Sequence, residues 1–232
     1  MTLVHCENRE SFFAQIETEI HDRLDLESAR LLRRFARIFF ETFPLEELQA
    51  RRLRDVYANT YFFWAELQKL DCREPRIQIF NPTLEEHGWT SDHTVVAVIA
   101  RDLPFLLDSL RQALDRRNVS INMLHSSVLE VERDAELEIV RFSAPEPDPR
   151  DPLEPCSSRE ALIYLEINRH SASEDLESIA VDLNSVIADV SLAVDDFDAM
   201  RSRARLLLEG LEKSPPDCID TLEIEESQRF LE

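Results

Sequence analysis

Two glycines among 232 residues, Gly88 and Gly210, constrain this chain more than any other feature. Glycine lets the backbone turn through positive φ and approach a phosphate with no Cβ in the way. A dinucleotide fingerprint needs three glycines in six residues, and a P-loop needs two with a Lys at fixed spacing. Neither can be built here, so the chain holds no nucleotide in either usual way. Hydrophobic residues make up 44%, enough to fill a core, and the length allows one large domain or two small ones.

The formal net charge is −21, from 26 Lys and Arg against 47 Asp and Glu. Such a field repels phosphate backbones and anionic membranes, so neither nucleic acid nor membrane is expected as a partner. The basic runs Arg30 to Arg37 and Arg51 to Arg54 are read as helix surfaces facing solvent or a partner. No stretch approaches the roughly 20 apolar residues of a membrane span. The first eight residues show no signal-peptide pattern, and the expectation is a soluble, cytoplasmic protein. Cys6, Cys72, Cys156 and Cys218 are far apart and are read as free thiols.

From about Arg9 to Leu70 the apolar residues recur at helical steps: Phe12, Phe13, Ile16 and Ile20, then Leu31, Leu32, Phe35, Ile38 and Phe39. Pro44 interrupts and opens a fresh helix with acids in its first turn. Tyr57, Tyr61, Phe62 and Trp64 form an aromatic face suited to a core or an interface. After Pro75 the period becomes two, with Arg76 to Phe80 and His93 to Ala100 reading as strands. A helix is expected to open at Asp102-Leu103-Pro104-Phe105, with Pro104 in its first turn and Asp102 or Leu103 near the cap. Its buried stripe is Phe105, Leu106, Leu110, Ala113 and Leu114, and Asn118 ends it. Val119 to Glu132, Leu137 to Phe142 and Ala161 to Ile167 follow as strands. Between Ser143 and Ser158, five prolines mark an irregular loop. A long helix opens at Ser173, although Val190, Leu192 and Val194 also alternate, which leaves 190–195 open as a short strand.

This order approaches the split βαββαβ plan, an antiparallel sheet with helices on one face. If the final helix is continuous the plan's last strand is missing, and Arg76 to Phe80 is expected at the vacant edge beside His93 to Ala100. The fold class is α+β. Residues 1–73 form a helical N-terminal segment, 74–213 the sheet domain with its long C-terminal helix, and 214–232 the start of a following segment.

The stretch Phe80-Asn81-Pro82, then Glu86-His87-Gly88-Trp89-x-Ser91-x-His93-Thr94-Val95-Val96, is followed by Leu103-Pro104-Phe105-Leu106-x-Asp108-Ser109. This pattern resembles the first ACT-like domain of the large bacterial NAD-specific glutamate dehydrogenases. Phe39-Phe40-x-x-x-Pro44-x-Glu46-x-Leu48 and Leu165-Glu166-Ile167-Asn168-Arg169 fit the same template. The resemblance implies a chain several times longer, whose Rossmann-type part oxidises glutamate to 2-oxoglutarate and ammonia with NAD. This region would then be non-catalytic and hold no cofactor. Its partners would be its own downstream domains, further copies of itself in a homo-oligomer, and an amino-acid effector such as arginine or aspartate.

The resemblance also implies a place for that effector. In ACT-type domains the turn from first strand to first helix helps bind a small amino acid, here Arg101, Asp102, Leu103, Pro104 and Phe105. Arg101 would pair a ligand carboxylate and Asp102 its ammonium, or Asp102 would simply cap the helix. His87 and His93, with Glu85, Glu86 and Asp92, match no established zinc spacing, and no metal is expected. His125, Ser126 and Ser127 form no nucleophile–base pair, because adjacent strand residues point to opposite faces. No catalytic residue is assigned.

Overall fold

The computed structural model describes residues 3, 4, 6–69, 74–145, 157–213 and 226. Four helices, α1 (Arg9–His21), α2 (Leu26–Phe39), α3 (Leu45–Gln49) and α4 (Leu53–Gln68), precede the first strand. Then come β1 (Arg76–Phe80), β2 (Thr94–Arg101), α5 (Leu106–Arg116), β3 (Ile121–Arg133), β4 (Ile139–Ser143), β5 (Ser157–Ile167) and α6 (Ser173–Lys213). Backbone contacts divide the chain into Met1–Ile187 and Ala188–Glu232.

Among the described residues, five strands make one antiparallel sheet in the order β1-β2-β5-β3-β4. β5 lies between β2 and β3, which α5 connects, and this is the split βαβ arrangement. β1 fills the edge beside β2, with Ile77 opposite Val98 and Ile79 opposite Val96. β4 returns from β3 as a hairpin partner.

The sheet is covered on both faces. Val95, Ala97, Ile99, Met123, Leu129, Val131, Phe142, Leu162 and Tyr164 join one hydrophobic cluster with Phe12, Ile16, Leu32, Phe35, Phe39, Phe63 and Leu67 of the first four helices. Strand alternation turns Val96, Val98, Ile163 and Leu165 to the opposite side. These four are buried, as are Leu106, Leu110, Leu114, Ile179, Leu183 and Ile187, and none belongs to the first cluster. α5 and the start of α6 therefore form the helical layer expected from the split plan. Arg117 joins these two helices through Asp182 and, at 2.9 Å, through Ser178 Oγ. The coverage of the other face by α1 to α4 has no counterpart in the strand pattern alone.

Local chemistry explains the boundaries. Asn8 and Ser11 make a reciprocal capping box on α1, and Asp25 accepts from Glu27 N and Ser28 N at the start of α2. Asn118 takes a left-handed φ of 56° and ends α5 as expected, while Val119 N donates back to Leu114 O at 3.0 Å. Residues 190–195 are helical within α6, so the strand reading there is set aside. Within the second unit, Leu192, Phe197, Met200, Leu206 and Leu207 are exposed.

The aromatic face of α4 is largely consumed internally. Phe62 packs on Phe80 and Trp89, and Trp64 on Phe35 and Phe142, leaving Tyr61 exposed. Cys6 is a buried free thiol. Cys72, Cys156 and Cys218 lie outside the described residues, as do 146–156 of the proline-rich loop and all of 214–232 except Glu226. No helix among the described residues is long and apolar enough to cross a membrane.

Candidate functional site

The turn from β2 to α5 differs from its sequence reading. α5 begins at Leu106, and its N-cap is Phe105, at φ 64° and ψ 2°, with no side-chain cap. Pro104 thus lies outside the helix, and neither Asp102 nor Leu103 caps it. Proline pushes the residue before it out of the helical region, which delays the start, and a left-handed residue then redirects the chain. Phe105 leaves the buried stripe altogether, with 77% of its surface exposed. Asp102 N donates to Arg159 O at 2.8 Å, tying the turn to β5, and Leu103 is buried. Burial pushes the Asp102 carboxyl above its usual range, with Arg159 opposing. Arg101 ends β2 opposite Glu160 in the ladder, with its residue exposed.

The stretch from Asn81 to His93 connects β1 to β2. Asn81 Nδ2 donates to His170 O at 2.8 Å, and its Oδ1 accepts from Thr94 Oγ1 at 2.8 Å. Thr94 Oγ1 accepts in turn from His170 N at 2.9 Å, and Arg169 Nη1 reaches Ser91 O at 2.9 Å. Thus the two signature segments, separated by some seventy positions in the chain, are hydrogen-bonded to each other. Pro82 is buried at the head of the connection.

Gly88 sits at φ 82°, and an added Cβ would lie 3.3 Å from Ala58 Cβ on α4. The turn it makes places Trp89, 2% exposed, edge-on to Phe62 and Phe80. His87 stacks flat on Phe80 at 4.3 Å, and its Nδ1 accepts from Thr83 N at 3.2 Å. Burial draws the His87 pKa down, with exposed Glu86 opposing. His93 N donates to Ser91 Oγ at 3.0 Å. Among the described residues no three His, Cys, Asp or Glu converge as metal ligands.

The structure also assembles a polar cluster that sequence reading missed. Arg51, whose run reads as a helix surface facing solvent or a partner, lies between α3 and α4 and reaches into the sheet. Its Nη2 donates to Glu166 Oε1 at 2.8 Å and approaches Met123 Sδ at 2.8 Å, and its Nη1 lies 3.4 Å from Tyr164 Oη. Tyr164 donates to the same Glu166 oxygen. Burial raises the Tyr164 phenol; for Arg51, burial works downward but Tyr164 and Glu166 outweigh it and hold it charged. The available signal was Tyr164 and Glu166, two polar residues two apart on one strand and therefore on one face.

A split βαβ sheet with α5 and the start of α6 layered on one face defines an ACT-like domain. Residues 35–183 match the family described as glutamate dehydrogenase, ACT1 domain, and the chain belongs to it. It is 38% identical over 226 residues to an NAD-specific glutamate dehydrogenase of Halomonas elongata, and 34% identical over 225 residues to one of Pseudomonas aeruginosa. Each match covers 97% of this chain but 14% of the relative. No solved structure matches.

Proposed function

We propose that this chain is a non-catalytic regulatory region of a large cytoplasmic NAD-dependent glutamate dehydrogenase, responsive to an amino-acid effector. The whole enzyme would convert glutamate to 2-oxoglutarate and ammonia with NAD bound elsewhere. The observation that carries this reading is the match of residues 35–183 to an ACT1 domain of dehydrogenases far longer than this chain. The effector would sit at Arg101 to Phe105. There α5 begins without a side-chain cap, so its first N–H groups and positive end suit a carboxylate. Calorimetry with arginine, aspartate and glutamate at millimolar concentration tests it. Heat that Arg101→Ala abolishes is the expected result, and absence of heat and of any thermal shift overturns it.

A second reading is an oligomerisation module that binds no ligand. It is favoured by Phe197, Met200, Leu206 and Leu207, exposed on the second unit's helix. Light scattering together with the ligand titration separates the two readings: this one requires a ligand-independent mass above that of the monomer and no binding of any amino acid.

A further inference from the structure

β3 runs from Ile121 to Arg133, but β4 pairs only with Glu130 to Arg133. On that flank Ile121 to Leu129 meet no strand among the described residues. Backbone groups alternate between the two sides of a strand. Ser126 O accepts from Thr42 Oγ1, which fixes the direction: Leu124, Ser126 and Val128 point outward, and the residues between them point to β5. At 3.5 Å the Thr42 contact is long, and the outward N–H groups have no acceptor among the described residues. Such an edge is a template for another strand, and soluble proteins guard it with charge. Here Ile121 to Leu129 hold no Asp, Glu, Lys or Arg, in a chain of which 31% is charged.

β4 is barred from covering this edge itself. Glu132 pairs with Arg141 and Glu130 with Ser143, so the next outward residue, Val128, would face Pro145. Pro145 has no N–H to offer the outward carbonyl of Val128. In the sequence Pro147 and Pro149 repeat that parity, so extending the ladder would set a proline against Ser126 and Leu124 as well. The hairpin stops where the prolines begin. The edge is left to a strand that can both donate and accept.

The edge is complementary to itself. Paired antiparallel about Ser126, two copies set Leu124 of each against Val128 of the other and Ser126 against Ser126, so each outward N–H meets an outward C=O. Leu124 and Val128 lie on one face and are half-buried, and the pairing completes their burial. A groove beside the edge, between the end of α2 and the end of β4, is lined by Ile38, Val128, Ala144 and Pro145. Arg37, whose Nε holds Glu17, and Glu41 stand at the same wall. One rim thus carries both signs, and a second copy offers an acid for the base and a base for the acid. Elsewhere the net charge of −21 drives two copies apart. We propose that two copies of this chain join through β3 about a two-fold axis, making one continuous sheet. The proposal stands apart from the effector reading, and it places the contact on the sheet rather than on the exposed side chains of α6.

The test is sedimentation equilibrium of the 232-residue chain, with amide exchange of the ¹⁵N-labelled protein read by NMR. The expected mass is twice 27.0 kDa in concentrated protein, falling toward 27.0 kDa on dilution. The outward amides of Leu124, Ser126 and Val128 exchange at least tenfold more slowly in concentrated than in dilute protein, while those of His125 and Ser127, bonded to β5 in both states, change less. Val128→Lys, which puts a charge on the edge, and Ser126→Pro, which removes an outward donor, each weaken the dimer Kd at least tenfold. Phe197→Glu on α6 leaves it unchanged. The wild-type exchange pattern decides the matter even where a variant fails to fold. A chain that stays monomeric at millimolar concentration overturns the proposal and leaves the effector reading untouched. A dimer whose outward amides exchange freely also overturns it. A dimer lost in Phe197→Glu but kept in Val128→Lys and Ser126→Pro overturns this edge and leaves the α6 reading standing.

Discussion

His125 shows what one buried side chain does to the pH response. It is 3% exposed, and its Nε2 lies 2.6 Å from Phe39 O, so that nitrogen carries a proton and donates. Burial draws its pKa down to about 4; the hydrogen bond to Phe39 opposes this and Arg9 adds to it. In the unfolded chain it titrates near its ordinary value of about 6.5. Between those values the unfolded state binds more protons, so this group's contribution is constant above about pH 6.5 and is lost as pH falls toward 4. Urea unfolding of the wild type and His125→Gln across pH 7 to 4 should show the wild-type curve losing roughly 3 kcal/mol more over that range. Parallel curves would contradict the neutral, buried assignment. The sequence showed that His125 and Ser126 face opposite ways. It could not show the carbonyl 86 residues away that accepts the hydrogen bond, nor that Arg51 leaves its basic run for the sheet, because periodicity reports a face and not its partner.

At the level of elements, the sequence conveyed the strands well and the turn between β2 and α5 poorly. Alternation in Arg76 to Phe80 was enough to place β1, because one vacant edge remained for it. The helix start was misplaced because Pro104 is equally at home in a first helical turn and in a tight bend before one. With Phe105 exposed and left-handed, Phe105→Gly should stabilise the chain by about 1 kcal/mol, since it relieves the Cβ clash and gives up little burial. A lower thermal midpoint would contradict the left-handed cap. β3 and β5 are locked by Arg133 and Glu160, both buried, at 3.0 and 3.3 Å, with Arg133 also donating to Leu67 O on α4 at 3.0 Å. Removing one charge strands the other, so Arg133→Met should cost about 3–5 kcal/mol. Arg133→Met with Glu160→Leu should cost less than the single change, as denaturant titration would read; a double variant worse than the single one would contradict the pair.

Across the molecule, the helical segment and the sheet complete one hydrophobic cluster. Residues 74–213 expressed alone would expose Val95, Ile99, Leu162, Tyr164 and Phe142, and are expected to bind a hydrophobic dye and lose cooperative unfolding. A cooperative transition with dispersed amide signals would count against this. The sequence revealed two amphipathic populations but not that they share a face, since helix and strand patterns each say only that a partner exists. The site was less legible still: the signature stretch carried the resemblance, but not that its Asn81, Thr94 and Gly88 hold the connection and that its Trp89 packs on Phe62 and Phe80. One consequence follows from the central position of β5. β2 and β3 never pair with each other; both wait for Ser157–Ile167, the last of this sheet's strands to be synthesised. On the ribosome, the β1–β2 and β3–β4 halves therefore emerge as separate hairpins with open edges. The sheet closes in a single late event when β5 clears the exit tunnel, so a pause in translation before that point would prolong the aggregation-prone interval.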